Sequence, residues 1–260
     1  MADPGLREGI VPLKIQHIDA PCHIYYNIIG DLSSNSPRLI VLHGGPGTGH
    51  EYLLPTGDES FGRKLCDGPG YRILGHSWGR RIAVTFATTQ PRVLQRLVLA
   101  SGIASSRGWV EGIQIIRRQL PSDAQLAIDE EEQKGNFESA RFRDAMSVFF
   151  RNYLCRAKPF PPKELLPERG QDSGPSPLDC TGSFRDWSCT PYLHQIAVPT
   201  LVYNGEFDTS HDITTVPFFE HIPRVRWITF PDAGHICHLE RPELAWKEFR
   251  IVGEFLTQKK

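Results

Sequence analysis

Nothing in this chain stays apolar for long enough to cross a membrane; no run approaches the roughly 18 residues that a spanning helix needs. The first residues, MADPGLREGIVPLK, hold no apolar stretch of the kind that opens a secretory signal. An excess of charge of either sign is missing too. Lysine and arginine number 29 against 30 aspartates and glutamates, a net charge of −1, so no basic surface for nucleic acid is implied. The six cysteines, at positions 22, 66, 155, 180, 189 and 237, include no C-x-x-C pair. They read as free thiols of a soluble, cytoplasmic protein rather than as a disulfide framework. No metal, cofactor, membrane or nucleic-acid partner is expected, and the oligomeric state stays open. No internal repeat is visible. The 260 residues suit one α/β domain carrying an inserted subdomain.

What is there centres on residues 71–90, YRILGHSWGRRIAVTFATTQ. Residues 71–74 read as a short buried strand. Gly75-His76-Ser77-Trp78-Gly79 matches G-x-S-x-G, Ile82, Ala83, Phe86 and Ala87 recur at helical spacing, and Pro91 stops the helix. Strand, tight turn and helix are the context of a nucleophile elbow. The reason is steric: the serine occupies a strained backbone conformation, so its neighbours at minus two and plus two must lack clashing side chains. The helix that follows aims its partly positive N-terminus at a developing oxyanion.

Upstream, residues 11–18 and 22–29 alternate apolar and polar around Asp19-Ala20-Pro21 and predict an antiparallel hairpin. Residues 39–42 predict a second apolar strand running into His43-Gly44-Gly45-Pro46-Gly47. A strand ending in HGG places backbone N–H groups where the other half of an oxyanion hole belongs. Gly44 or Gly45 is the expected donor there, with the N–H of Trp78; His43 is read as ordering the loop.

Downstream, residues 94–101 predict a strand. Trp109, Val110, Ile113, Ile116 and Leu120 then recur at helical spacing, Ser122-x-x-Gln125 reads as a capping box for a helix ending at Gly135, and residues 138–154 predict a third helix. Three helices in succession without a strand read as a cap. The acidic run 129–132 reads as a solvated helix face. Strands are expected again at 199–203 and 225–230, and a closing amphipathic helix at 243–256. The first of these strands leads to Asp208, the second to His235. Ser…Asp…His in that order fits acyl transfer, with Ser77 as nucleophile, His235 as base and Asp208 as its orienting acid. His211 and His238 rival His235, His238 being read as a packing or surface residue; Glu206 and Asp212 rival Asp208.

LHGGPG and GHSWG together, continued by LVLASGIAS, PTLVYNGEFD and FPDAGH, resemble the prolyl iminopeptidase branch of the α/β-hydrolase superfamily in its fungal and bacterial form, over nearly the whole chain. The resemblance implies an α/β-hydrolase core at 1–105 and 195–260, a mostly parallel sheet, and a helical cap at 106–194. It favours Asp208 as the acid, because the family motif ends there. It implies a hydrolase that releases an N-terminal residue from a short peptide or cleaves a small-molecule amide or ester. The alternatives are an esterase, amidase or acyl-transfer enzyme of secondary metabolism, a truncated inactive pseudo-enzyme, and a binding module without turnover.

Three departures accompany the resemblance. Gly47 to Gly75 spans 28 positions, where the family has roughly double, enough for a helix, a central strand and a second helix. One central strand is therefore expected to be missing through an internal deletion. The glutamates that bind a substrate's free amine in that family are absent, since the matching positions read Gly174-Pro175-Ser176-Pro177-Leu178 and Asp208-Thr209. Glu206 and Glu111 are the candidate substitutes. Arg80 stands where glycine is usual and, with Arg81, sets two cations at a helix N-terminus, which is mildly unfavourable.

Overall fold

The computed structural model describes residues 6–30, 38–45, 49–57, 70–165, 178, 180 and 184–258. Five strands make a parallel sheet in sequential order: β3 (Arg38–Leu42), β4 (Tyr71–His76), β5 (Leu94–Ala100), β6 (Thr200–Gly205) and β7 (Val225–Phe230). The interior strands β5 and β6 carry the apolar runs Leu97–Ala100 and Leu201–Tyr203, with nearly every residue buried. That is the pattern of strands covered on both faces.

Helices supply the cover. On one face, α1 (Trp78–Thr88) and α5 (Asp212–His221) pack Ala83, Val84, Ala87, Phe218 and the adjoining Ile222 against Ile73, Leu97, Leu99 and Val202. On the other, α6 (Pro242–Thr257) packs Leu244, Val252, Phe255 and Leu256 against Leu74, Val98, Leu201 and Tyr203. Between β5 and β6 lie α2 (Ser106–Arg117), α3 (Ser122–Lys134) and α4 (Ala140–Phe149), which close over a separate apolar cluster of Ile113, Ile116, Ile128, Phe142, Met146 and Phe149.

The predicted elements hold with local corrections. The hairpin pairs β1 (Arg7–Leu13) with β2 (Cys22–Ile28), from Arg7 opposite Ile28 to Leu13 opposite Cys22, so its first strand both begins and ends earlier than the alternation indicates, and residues 14–18 lie outside it. Ser122 is the first residue inside α3 and caps nothing; Pro121 holds the cap position, and Gln125 Nε2 reaches back to the carbonyls of Leu120 and Arg118. The working serine caps are Ser105, which accepts from Gly108 N–H, and Ser139, which accepts from Phe142 N–H. Gly135 ends α3 in the left-handed conformation at φ 67°.

In α1 the buried face is displaced from the one the periodicity indicates. Ile82 and Phe86 are exposed, while Arg80 and Arg81 are buried. The hairpin forms its own two-stranded sheet, and among the described residues β3 is the edge of the five-stranded one. The segment expected to lack a strand falls largely at 58–69, outside the described residues.

Candidate active site

All five parallel strands run toward one end, and the predicted site residues follow their C-termini: the His43-Gly44-Gly45 turn after β3, Ser77 after β4, Asp208 after β6 and His235 after β7. Loops beyond the carboxyl ends of such a sheet are where open α/β folds hold ligands.

Ser77 links β4 to α1 at φ 54°, ψ −117°, a conformation in which L-residues are strained. Its N–H donates to Ala100 O at 3.0 Å and its carbonyl accepts from Arg80 N–H at 3.0 Å, which holds the turn closed. The flanking glycines are required by contact. A Cβ on Gly75 would lie 2.5 Å from Gly79 O, and one on Gly79 would lie 2.1 Å from Leu42 O. A Cβ on Gly44 would lie 2.8 Å from Ser77 Cβ, so the HGG turn is seated directly on the serine.

Asp208 and His235 meet at 2.6 Å, Oδ1 to Nδ1, with 2% and 6% of their surfaces exposed. Asp208 also accepts from Ser210 N–H at 2.7 Å and Gly205 N–H at 3.2 Å. Burial alone would raise its carboxyl; the His235 imidazole, with the Ser210 N–H, overcomes that and holds it below the usual range. Because Nδ1 is committed to Asp208, Nε2 is the ring nitrogen left for another partner.

A segment that the sequence reading took as the end of a regular helix fixes both loops. Phe150–Leu154 is a π-turn, whose wider i→i+5 bonding is common beside functional sites. Its Tyr153 carbonyl accepts both Thr209 N–H at 3.2 Å and His235 N–H at 3.0 Å, and Leu154 O accepts Ile236 N–H at 3.0 Å. One carbonyl thereby ties the residue after Asp208 to His235 itself.

Of the expected oxyanion donors, Gly44 N–H is already engaged, 2.5 Å from the Tyr52 hydroxyl. Trp78 is the first residue of α1, so its N–H has no partner within the helix. Gly45, at φ 138°, adopts backbone open to glycine alone.

The rivals have other partners. Asp212 accepts from Asn204 Nδ2 at 2.7 Å, and His211 Nδ1 accepts from Ile213 N–H at the start of α5. His238 is buried, with Nε2 2.8 Å from Tyr52 O and Nδ1 3.5 Å from Glu248 Oε2.

The pattern of the alpha/beta hydrolase fold matches residues 59–242, most of the chain. The chain belongs to the α/β-hydrolase fold family. Among the relatives of this α/β-hydrolase, the proline iminopeptidase of Saccharolobus solfataricus is 27% identical over 281 aligned positions, covering 91% of this chain and 89% of its own. That of Lactobacillus delbrueckii subsp. lactis is 24% identical over 82% of this chain and 88% of its own. The crystal structure of the Mycobacterium smegmatis proline iminopeptidase superposes with a TM-score of 0.72 at 27% identity, over 85% of this chain and 89% of that one. The VinJ structure, at 23% identity, shares the fold with a TM-score of 0.77. An aligned length of 281 exceeds the 260 residues of this α/β-hydrolase, so the archaeal relative carries segments with no counterpart here.

The candidate substrate carboxylates lie at the surface. Glu206 accepts from Asp232 N–H at 2.8 Å, and Glu111 pairs with Arg107 one helical turn away at 3.0 Å. Thr209, in one of the two positions where the family resemblance calls for a glutamate, is buried; residues 174–177, at the other, lie outside the described residues. Behind the serine, Arg80 is fully buried. It donates from Nη1 to Gly102 O at 2.9 Å and lies over the Phe218 ring at 3.9 Å. Burial pulls its guanidinium down to about 9, still charged near neutrality. Arg81 sits among Trp78, Phe184 and Trp187. Aromatic faces partly replace the water that both cations lose. Among the described residues no group of His, Cys, Asp and Glu could hold a metal ion, and no helix is long and apolar enough to cross a membrane.

Proposed function

We propose that this α/β-hydrolase cleaves an amide or ester bond of a short peptide or small molecule through an acyl-enzyme on Ser77. His235 Nε2 takes the Ser77 Oγ proton as Oγ attacks the substrate carbonyl carbon. The resulting oxyanion accepts from Gly45 N–H and Trp78 N–H. Collapse expels the amine or alcohol, which leaves with the proton from His235. A water molecule, deprotonated by His235, then attacks the acyl carbon and frees the acid and Ser77. Asp208 holds the imidazole in the Nδ1–H tautomer and stabilises it when charged. The observation that carries this reading is the 2.6 Å Asp208–His235 bond at the end of the same sheet that holds Ser77 at φ 54°.

The kinship with proline iminopeptidases supports release of an N-terminal residue as the reaction. Thr209 in place of a carboxylate supports a relaxed requirement for a free amine, because a substrate ammonium would find no acidic partner there. Hydrolysis of proline anilide, its N-blocked form and a short-chain aryl ester tests this directly. The ester and the blocked anilide should turn over at rates within about tenfold of the free anilide, a difference of about 1.4 kcal/mol, and Ser77→Ala should abolish all three. A strong preference for free proline would restore a strict aminopeptidase. The edge position that β3 has among the described residues favours a second reading, a pseudo-enzyme with an incompletely supported HGG turn; absence of turnover on every substrate would select it.

A further inference from the structure

Behind the serine, three hydrogen bonds run between the HGG turn and the base. Gly44 N–H lies 2.5 Å from Tyr52 Oη, Tyr52 Oη 2.9 Å from His76 Nδ1, and His76 Nε2 3.0 Å from the carbonyl oxygen of His235. Tyr52 and His76 each have only 3% of their surface exposed.

The chemistry of the two ends fixes the polarity of every link. Gly44 N–H can only donate, so Tyr52 Oη accepts there and its single proton goes to His76 Nδ1. The His235 carbonyl can only accept, so His76 carries its proton on Nε2. No donor faces a donor, provided His76 is neutral. Burial, followed by the neighbouring His235 and His238, lowers its imidazole to about 3, and burial keeps the Tyr52 phenol protonated.

Packing closes around this chain. A Cβ on Gly44 would lie 2.7 Å from Tyr52 Oη and 3.2 Å from Ser77 Oγ, so Gly44 is held between the phenol and the nucleophile. The His76 ring meets the Tyr52 ring edge-on at 5.3 Å and the His235 ring at 5.0 Å.

We propose that Tyr52 and His76 are positioning residues. Their directional hydrogen-bond chain sets the HGG turn at a fixed separation from His235, and it takes up Gly44 N–H so that Gly45 N–H serves the oxyanion. The proposal rests on the roles assigned above to Ser77 and His235. It gives the second letter of G-x-S-x-G a task and joins the turn after β3 to the loop after β7 across the C-terminal ends of the strands that lie between them.

The test compares the full-length wild type with Tyr52→Phe, His76→Leu and His76→Gln on the short-chain aryl ester. A glutamine amide can accept from Tyr52 and donate to His235 O with the same polarity as the neutral imidazole. In Tyr52→Phe and His76→Leu, kcat should fall by about 10- to 100-fold, the scale of a small misplacement of reacting groups, with KM within about twofold. His76→Gln should keep kcat within about threefold of wild type, since the positioning bonds survive. In the wild type, the His76 ring nitrogens should show by NMR the neutral Nε2–H tautomer at pH 5 to 7, a state that depends on the Tyr52 hydroxyl. An unchanged kcat in Tyr52→Phe, equal damage in His76→Gln and His76→Leu, or the opposite tautomer would overturn the relay while leaving the hydrolase reading intact. A wild type that neither turns over nor labels at Ser77 would overturn that reading, and the relay's purpose with it.

Discussion

The positive φ at Ser77 and the missing side chains around it are one steric fact seen from three residues. Because Gly75, Gly79 and Gly44 meet backbone or the serine itself, the elbow tolerates no Cβ at these positions. This is why Ser77 was legible from the letters alone. Asp208 and His235 were legible for a related reason: each follows an apolar strand, and parallel strands deliver their C-terminal loops to one place. Tyr52 and His76 left no such trace. The second letter of the motif is not set by the strain of the turn, and Tyr52 meets it only through tertiary packing. Their burial nonetheless has a measurable consequence. His76 titrates near 6.5 unfolded and at about 3 folded, so between those values the unfolded chain binds more protons, and stability falls as the pH is lowered, by about 1.4 kcal/mol per pH unit. His238 acts oppositely. Glu248 overcomes the cost of its burial and raises its imidazole, so its contribution is complete below 6.5 and is lost as the pH rises through the raised value. Denaturant melts of wild type and His76→Gln between pH 6 and 5 should show the wild type losing stability more steeply by about one proton's worth; parallel curves would contradict a neutral, buried His76.

Among the elements, periodicity located α1 but misassigned its inner face. It counted Ile82 and Phe86 as apolar, whereas the helix turns Arg80 toward Phe218 and Arg81 toward Trp78 and Trp187. Residue type alone does not reveal that aromatic rings wait to receive a guanidinium. The π-turn at Phe150–Leu154 was equally hidden, since its extra residue per turn leaves the apolar pattern of the preceding helix intact. α5 was not anticipated, because its residues DITTVPFFEH, with Pro217 inside, lack a clear amphipathic stripe. β3 carries the sharpest element-scale expectation. It pairs with β4 on one side and, among the described residues, with no strand on the other, and Ile40 is 42% exposed. Such an edge invites pairing with other chains. Inserting a helix–strand segment of about 30–40 residues between Gly47 and Gly75 should raise the melting temperature and suppress precipitation. A soluble, cooperative monomer of the 260-residue chain that gains nothing from the insertion would show that this sheet is complete as it stands.

At the scale of the molecule, a parallel sheet covered on both faces brings together residues far apart in sequence, as when His76 reaches the carbonyl of His235. The segment after α4 contributes two carbonyls: that of Tyr153 accepts from both Thr209 and His235 N–H, and that of Leu154 from Ile236 N–H, which steadies the loops after β6 and β7. Sequence kinship and fold agree on an α/β-hydrolase related to proline iminopeptidases, and the convergence of Ser77, His235 and Asp208 is what would make such a fold an enzyme. The most direct measurement of that convergence is the rate and site of labelling by a fluorophosphonate, followed by peptide mass mapping. The account predicts one adduct, on Ser77, absent in Ser77→Ala and formed about 10³–10⁴-fold more slowly in His235→Ala and Asp208→Asn, where the base or its tautomer is lost. Labelling at another residue, or at an undiminished rate without His235, would contradict it.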